Sequence, residues 1–222
     1  MLAVPMTAMQ PRQHAGAEDG FSLVEVAIVL VVIGIILGAV LQGRALIASA
    51  EYKSFSQEIR QARGAFHAFR DRYGALPGDF ARADQRIDAA APVPGASGGD
   101  GTIDNGANGP ACLDDGDEGC MAWQHLRYAG MLGGDPTLEG EEASPEHPWG
   151  GAISGFFTGS GNNGTFGHNL LIRDVPVDIA RRLDREEDDN RCNGGRITGQ
   201  DCDDDDATDW PDADTVNVVY EL

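Results

Sequence analysis

The chain has 222 residues carrying 36 acidic and 16 basic side chains, for a formal net charge of −20. That length allows one globular domain beyond a short N-terminal segment, and the charge disfavours nucleic-acid binding by the subunit through a basic surface. The four cysteines form neither CxxC nor CxxCH and no histidine lies at zinc-like spacing, which argues against a structural zinc site and against attached haem.

Residues 21–41 (FSLVEVAIVLVVIGIILGAVL) form an apolar run interrupted by one ionisable residue, Glu25. At about 1.5 Å of rise per residue such a helix spans roughly 31 Å, enough for a hydrocarbon core. A carboxylate inside that span costs on the order of a few kcal/mol unless it finds a partner, so Glu25 is a functional candidate. Gly20 stands immediately before Phe21. Cleavage after Gly20 frees an ammonium group within one helical turn of Glu25, or beside the Glu25 of a neighbouring subunit. An isolated charge then becomes half of an ion pair.

Gly20-Phe21-Ser22-Leu23-Val24-Glu25, followed by sixteen residues without a charge, closely resembles the type IV prepilin signature. The resemblance implies that residues 1–20 are a leader and that a membrane prepilin peptidase cuts after Gly20 and methylates Phe21. It also implies that Glu25 is needed for assembly. In a secretory signal peptide the cleavage site follows the apolar region and the anchor is lost; here it precedes the run and the anchor stays. Leaders of that family usually carry basic residues near the cut, whereas this one has only Arg12, and Met6 and Met9 are alternative starts.

Past Gly43-Arg44 the apolar and small residues fall at Tyr52, Phe55, Ile59, Ala62, Phe66, Phe69 and Tyr73, alternately three and four apart. That is one stripe on an α-helix. The reading is a single helix over residues 21–73. Its transmembrane half is residues 21–41, and its amphipathic half, residues 42–73, packs on a globular domain of residues 74–222. Gly74 and Pro77 stop it. Gly34-xxx-Gly38 fits a close helix-packing face.

Beyond Gly74 the sequence is loop-rich to Gly119. A second helix is expected over residues 120–131, with Trp123, Leu126 and Met131 on its buried side. Strands are expected over 152–157, 166–172 and 215–221, and a short helix over 177–187. This is an α+β layout, a long helix packed on a small antiparallel sheet. Arg72-Tyr73-Gly74-Ala75-Leu76-Pro77-Gly78-Asp79-Phe80 resembles the segment ending the long helix in a subgroup of pilin-like proteins. Trp123-Gln124-His125-Leu126-Arg127 and Trp149-Gly150-Gly151 are similar to further pieces of that subgroup.

Three patterns could carry chemistry. Cys112/Cys120 and Cys192/Cys202 are close pairs; outside the cytoplasm they form two local disulfides, and in a reducing compartment they stay thiols. Gly159-Ser160-Gly161-Asn162-Asn163-Gly164 matches GxGxxG, but a strand pattern follows it, which favours a hairpin loop over a nucleotide site. Residues 184–214 hold 13 acidic and 3 basic side chains. Within them Asp201, Asp203, Asp205, Asp209 and Asp212 take positions 1, 3, 5, 9 and 12 of an EF-hand-like loop. Asp206 stands where such a loop needs Gly, and Asp212 where it needs a bidentate Glu, so a solvated acidic loop competes with a calcium site. The histidines are isolated in sequence; His125 is expected to be packed at a helix–sheet interface. No catalytic constellation is legible.

The expected function is that of a structural subunit, a pilin or minor pilin, of a type IV pilus-like fibre. Its partners are the prepilin peptidase and other pilin subunits. It sits in the inner membrane with a periplasmic domain before assembly, and in a cell-surface or periplasmic fibre afterwards. A type II secretion pseudopilin has the same physics, and a membrane-anchored periplasmic enzyme or binding protein is the reading of another class.

Overall fold

The computed structural model describes residues 20–96, 98–104, 112–160, 166–200, 202 and 209–222. The chain divides into two units, residues 1–48 and 49–222. Helix α1 (Leu23–Tyr73) contributes to both as one uninterrupted run of 51 residues. In the first unit its large apolar side chains are exposed, from Leu23 and Val24 to Val40 and Leu41. It is the one helix among the described residues that is long and apolar enough to cross a membrane.

In the second unit α1 changes character. Tyr52, Phe55, Ile59, Ala62, Phe66 and Phe69 are buried, and Tyr73 is half-buried. Phe66 stacks on Phe156 at 5.3 Å between ring centroids, and Phe156 in turn meets Trp123 at 4.8 Å. The first pair seats α1 against strand β1 (Ile153–Ser160), and the second joins β1 to helix α3 (Glu118–Tyr128). The shorter helix α2 is Ala83–Arg86, and a 3-10 turn covers Gly140–Ala143.

The sheet has four antiparallel strands in the order β1-β2-β4-β3, with β2 at Phe166–Pro176, β3 at Ile197–Gly199 and β4 at Thr215–Glu221. Helix α4 (Val177–Glu187) leaves β2 directly. The fold is thus α+β and pilin-like in arrangement, a long N-terminal apolar helix with a small antiparallel sheet.

The differences from the sequence expectations have local causes. Helix α3 starts at Glu118 and stops at Tyr128, short of residue 131, because Gly130 adopts a positive φ of 68°. That is the left-handed conformation with which glycine ends helices. Met131 therefore lies outside the helix, although its N–H still bonds back to the Leu126 carbonyl at 2.9 Å. Strand β1 runs on to Ser160. Strand β2 runs on to Pro176 past an irregularity between Ile172 and Val175, where Asp174 takes a φ of 56°. Strand β3 has no counterpart among the sequence expectations, because three residues beside Gly195 and Arg196 carry too little periodicity to mark a strand.

The segment ending α1 is a hub. The Gly74 N–H bonds to the Arg70 carbonyl at 2.9 Å with φ +67°, closing the helix. Gly78 donates its N–H to His125 Nδ1 at 2.9 Å, and His125 Nε2–H donates to the Pro92 carbonyl at 2.8 Å. The Asp79 carboxylate accepts the backbone N–H groups of Gly99, Asp100 and Gly101. His125 stacks on Phe69 at 6.1 Å, so its partners lie on α1 and this loop rather than at the expected helix–sheet interface. Gly78 has φ +89°, and a Cβ there would run into the Glu118 carbonyl oxygen. Gly78→Ala is therefore expected to lower stability by about 2 kcal/mol or more, from strain and collision together. Urea unfolding of the variant beside wild type measures this, and an unchanged midpoint would contradict the hub.

Candidate functional site

Gly20 and Phe21 precede α1, and Phe21 is 83 % exposed. Ser22 sits just before the first helical residue, its carbonyl accepting the Val26 N–H at 3.2 Å, and Glu25 lies in the first turn. The spacing Ser22-xx-Glu25 is that of a capping box, in which Ser at the cap and Glu three residues on serve the free N–H groups of the first turn. A carboxylate there is also favoured by the positive end of the helix dipole. Glu25 thus stands at the third position of such a box, a pattern that the apolar run around it conceals. Glutamine satisfies the same box, so the cap needs the side chain's acceptor while an ion pair needs its charge.

Cys112 is bonded to Cys120 and Cys192 to Cys202. The first pair ties the residues before α3 to its first turn; the second ties the segment after α4 to the far side of β3. Of the five expected calcium ligands, Asp201, Asp203 and Asp205 lie outside the described residues, and Asp209 and Asp212 are exposed. The structure brings together a different trio: Asp184, Asp188 and Asp189 place carboxylate oxygens within 4.8 Å of one another. Each already accepts protein hydrogens. Asp184 takes the Trp210 Nε1–H at 3.0 Å and the Asn190 N–H at 3.2 Å; Asp188 takes the Arg196 and Ile197 N–H groups; Asp189 takes the Arg191 N–H at 3.0 Å. The spacing of four residues along α4 and its exit was the signal available in the sequence, hidden among so many acids.

The histidines are structural where buried. His147 Nε2–H donates to the Arg173 carbonyl at 2.8 Å, its Nδ1 accepts the Trp149 N–H at 3.3 Å, and its ring edges onto Phe55. His168 Nδ1 meets the Thr158 hydroxyl at 3.0 Å, and His67 lies edge-on to Phe66. In the GxGxxG stretch, residues 161–164 lie outside the described residues, but Ser160 pairs with Phe166 across an antiparallel ladder. A strand, not a helix, follows the motif, so it lacks the helix N-terminus a nucleotide phosphate needs.

Two buried groups couple folding to pH in opposite directions. Burial pushes the His125 ring down to about 4, so the unfolded chain binds its proton first and stability falls as pH drops from about 6.5 to 4. Burial pushes the Asp184 carboxyl up to about 6, with the Trp210 and Asn190 hydrogen bonds acting against the shift. The folded state holds that proton longer, so stability from this group falls as pH rises from about 4 to 6. The difference between Asp184→Asn and wild type isolates the second term. The variant is expected to gain on wild type steadily between pH 4 and 6 and to hold that gain above it. Melting temperatures at half-unit pH steps, with chelator present, measure the gap; a flat difference would contradict the assignment.

Residues 17–41 match the family model of the prokaryotic N-terminal methylation motif. No curated protein and no solved structure matches the chain. The match covers Gly20, Phe21, Glu25 and the apolar first half of α1. It points to a structural subunit rather than an enzyme, one processed by a prepilin peptidase and assembled with other pilin subunits. The chain carries a type IV pilin-like prepilin signature at the head of a pilin-like α+β fold.

Proposed function

We propose that this protein is a pilin or minor pilin, a structural subunit of a type IV pilus-like fibre, cut after Gly20, methylated on Phe21 and assembled through the first half of α1. The observation that carries this reading is the methylation motif over residues 17–41, continuous with an exposed apolar helix that has Glu25 in its first turn. An exposed apolar run of this length needs lipid or neighbouring helices around it. The mass of the mature N-terminal peptide tests processing: it is expected to begin with N-methyl-Phe21. A peptide that begins upstream, or an unmethylated Phe21, would leave a plain membrane anchor and turn attention to an anchored enzyme or binding protein. A type II secretion pseudopilin rests on the same contacts, and fibres sheared from the cell surface of the native strain distinguish the pilus.

In the fibre, Glu25 of one subunit faces the Phe21 ammonium of an adjacent one. Attraction between them in a low-dielectric helix bundle sets the axial register of one helix against the next, a better-attested use of buried polar groups than raw stabilisation. Glu25→Gln retains the capping-box acceptor and makes the anchor more apolar, so insertion and folding are expected to persist. Assembly is expected to fall sharply, because the ammonium is left buried without its counter-charge. The variant is expressed as the only copy, and membrane and sheared-fibre fractions are compared by immunoblot. Undiminished incorporation would remove the ion pair from the assembly model.

A further inference from the structure

We propose that a cavity at the end of α1, flanked by Arg70 and Arg82, receives the acidic surface around Asp188, Asp189, Asp209 and Asp212 of a second copy of this chain. The proposal rests on the fibre reading above. The cavity has a volume of about 540 Å³, and its lining includes Arg70, Tyr73, Asp79, Phe80, Arg82 and His168. Positive charge is scarce in this protein, and it outnumbers acid at this end of α1. Residues 63–86 hold five of the sixteen Lys and Arg side chains but only three of the thirty-six Asp and Glu. Arg60 is taken by Glu187 at 2.8 Å, whereas Arg70 and Arg82 are exposed and enter no ion pair among the described residues. The one carboxylate among the described residues of the lining, Asp79, is committed to the backbone N–H groups of Gly99, Asp100 and Gly101.

The acid lies elsewhere on the same unit. Residues 184–214 carry 13 acidic and 3 basic side chains. The end of α4 meets α1 where the Tyr52 hydroxyl donates to Glu186 at 2.8 Å and the Ser56 hydroxyl donates to Glu187 at 3.3 Å. From residue 56 to residue 70 is about 21 Å along a helix, roughly two Debye lengths at 0.1 M salt. Within one copy the two patches are too far apart to neutralise each other. A second copy side by side at the same level would set acid against acid. A copy displaced along the α1 axis sets acid against Arg70 and Arg82. Contacts that repeat head to tail must join two different patches of one chain, and this pair is complementary in charge.

The test uses the full-length subunit as the only copy in the cell. Membrane level, N-methyl-Phe21 and sheared fibre are read for Arg70→Glu/Arg82→Glu and for Arg70→Lys/Arg82→Lys. Charge reversal is expected to reduce fibre by about tenfold or more with membrane level and methylation unchanged, while the lysine pair retains most of it. Adding Asp209→Lys/Asp212→Lys to the reversed protein is expected to restore fibre, which also shows that the reversed subunit folds. Undiminished fibre on reversal, or no restoration, overturns the proposal. So does duplex DNA retained by wild-type fibres and lost on reversal with fibre yield intact, since the cavity then serves nucleic acid. Absence of N-methyl-Phe21 from wild type would instead remove the fibre reading, and this proposal with it.

Discussion

The structure depends on one helix meeting two solvents. Over its first half α1 is apolar on every side, which water does not tolerate at that length. Over its second half the apolar residues narrow to a single stripe, and burial of that stripe organises the globular unit. Phe55, Ile59, Phe66 and Phe69 are fully buried, and their neighbours in the core come from α3 and from each long strand. Full burial of a large aromatic or aliphatic side chain is worth about 1.5–3 kcal/mol, so this row supplies a large share of the driving force. Everything else in the unit serves to cover the stripe. The short loops, the hairpin and the returning C-terminal strand all close over it.

Covering a stripe requires that the chain turn at its end, and the turn is made by polar chemistry in a buried place. Leu76 to Phe80 are buried, so their backbone groups cannot rely on water. His125 from α3 accepts one N–H and donates to one carbonyl, holding a single tautomer. Asp79 gathers three N–H groups from the following loop. A histidine kept neutral by burial and a carboxylate kept busy by backbone amides are structural devices here, and neither is placed to act on a substrate. The same economy recurs at His147, which joins the Trp149 segment to a β2 carbonyl.

Charge is distributed along the globular unit rather than uniformly over it. The exit of α4 carries Glu186 through Asp189, partly satisfied by Tyr52, Arg60 and Tyr220. The far end of α1 carries the arginines. In the proposed fibre this charge polarity gives the subunit a preferred stagger against its neighbours, and the proposed Glu25–ammonium pair is a second register device. Both would act on axial position, one in an apolar medium and one in water.

The sequence alone determined what depends on neighbours along the chain. The apolar run with Gly20 and Phe21 at its head, Glu25, the change to a stripe at Tyr52, the α4 boundaries and β4 are all local patterns, because helical and strand periods are written in successive residues. Tertiary structure decided what depends on residues far apart. No period announces that β4 lies between β2 and β3, that three-residue β3 exists only by pairing with it, or that Gly78 must be glycine to clear Glu118. Nor could spacing show that Asp184, Asp188 and Asp189 converge while Asp209 and Asp212 stay exposed. An acidic run matches many ligand patterns by chance, and only the packing of Trp210 against α4 selects which carboxylate is buried. The arginine-flanked cavity is likewise a product of folding: Arg70, Arg82 and His168 are nearly a hundred residues apart at the extremes, and a turn and a strand pairing bring them to one place.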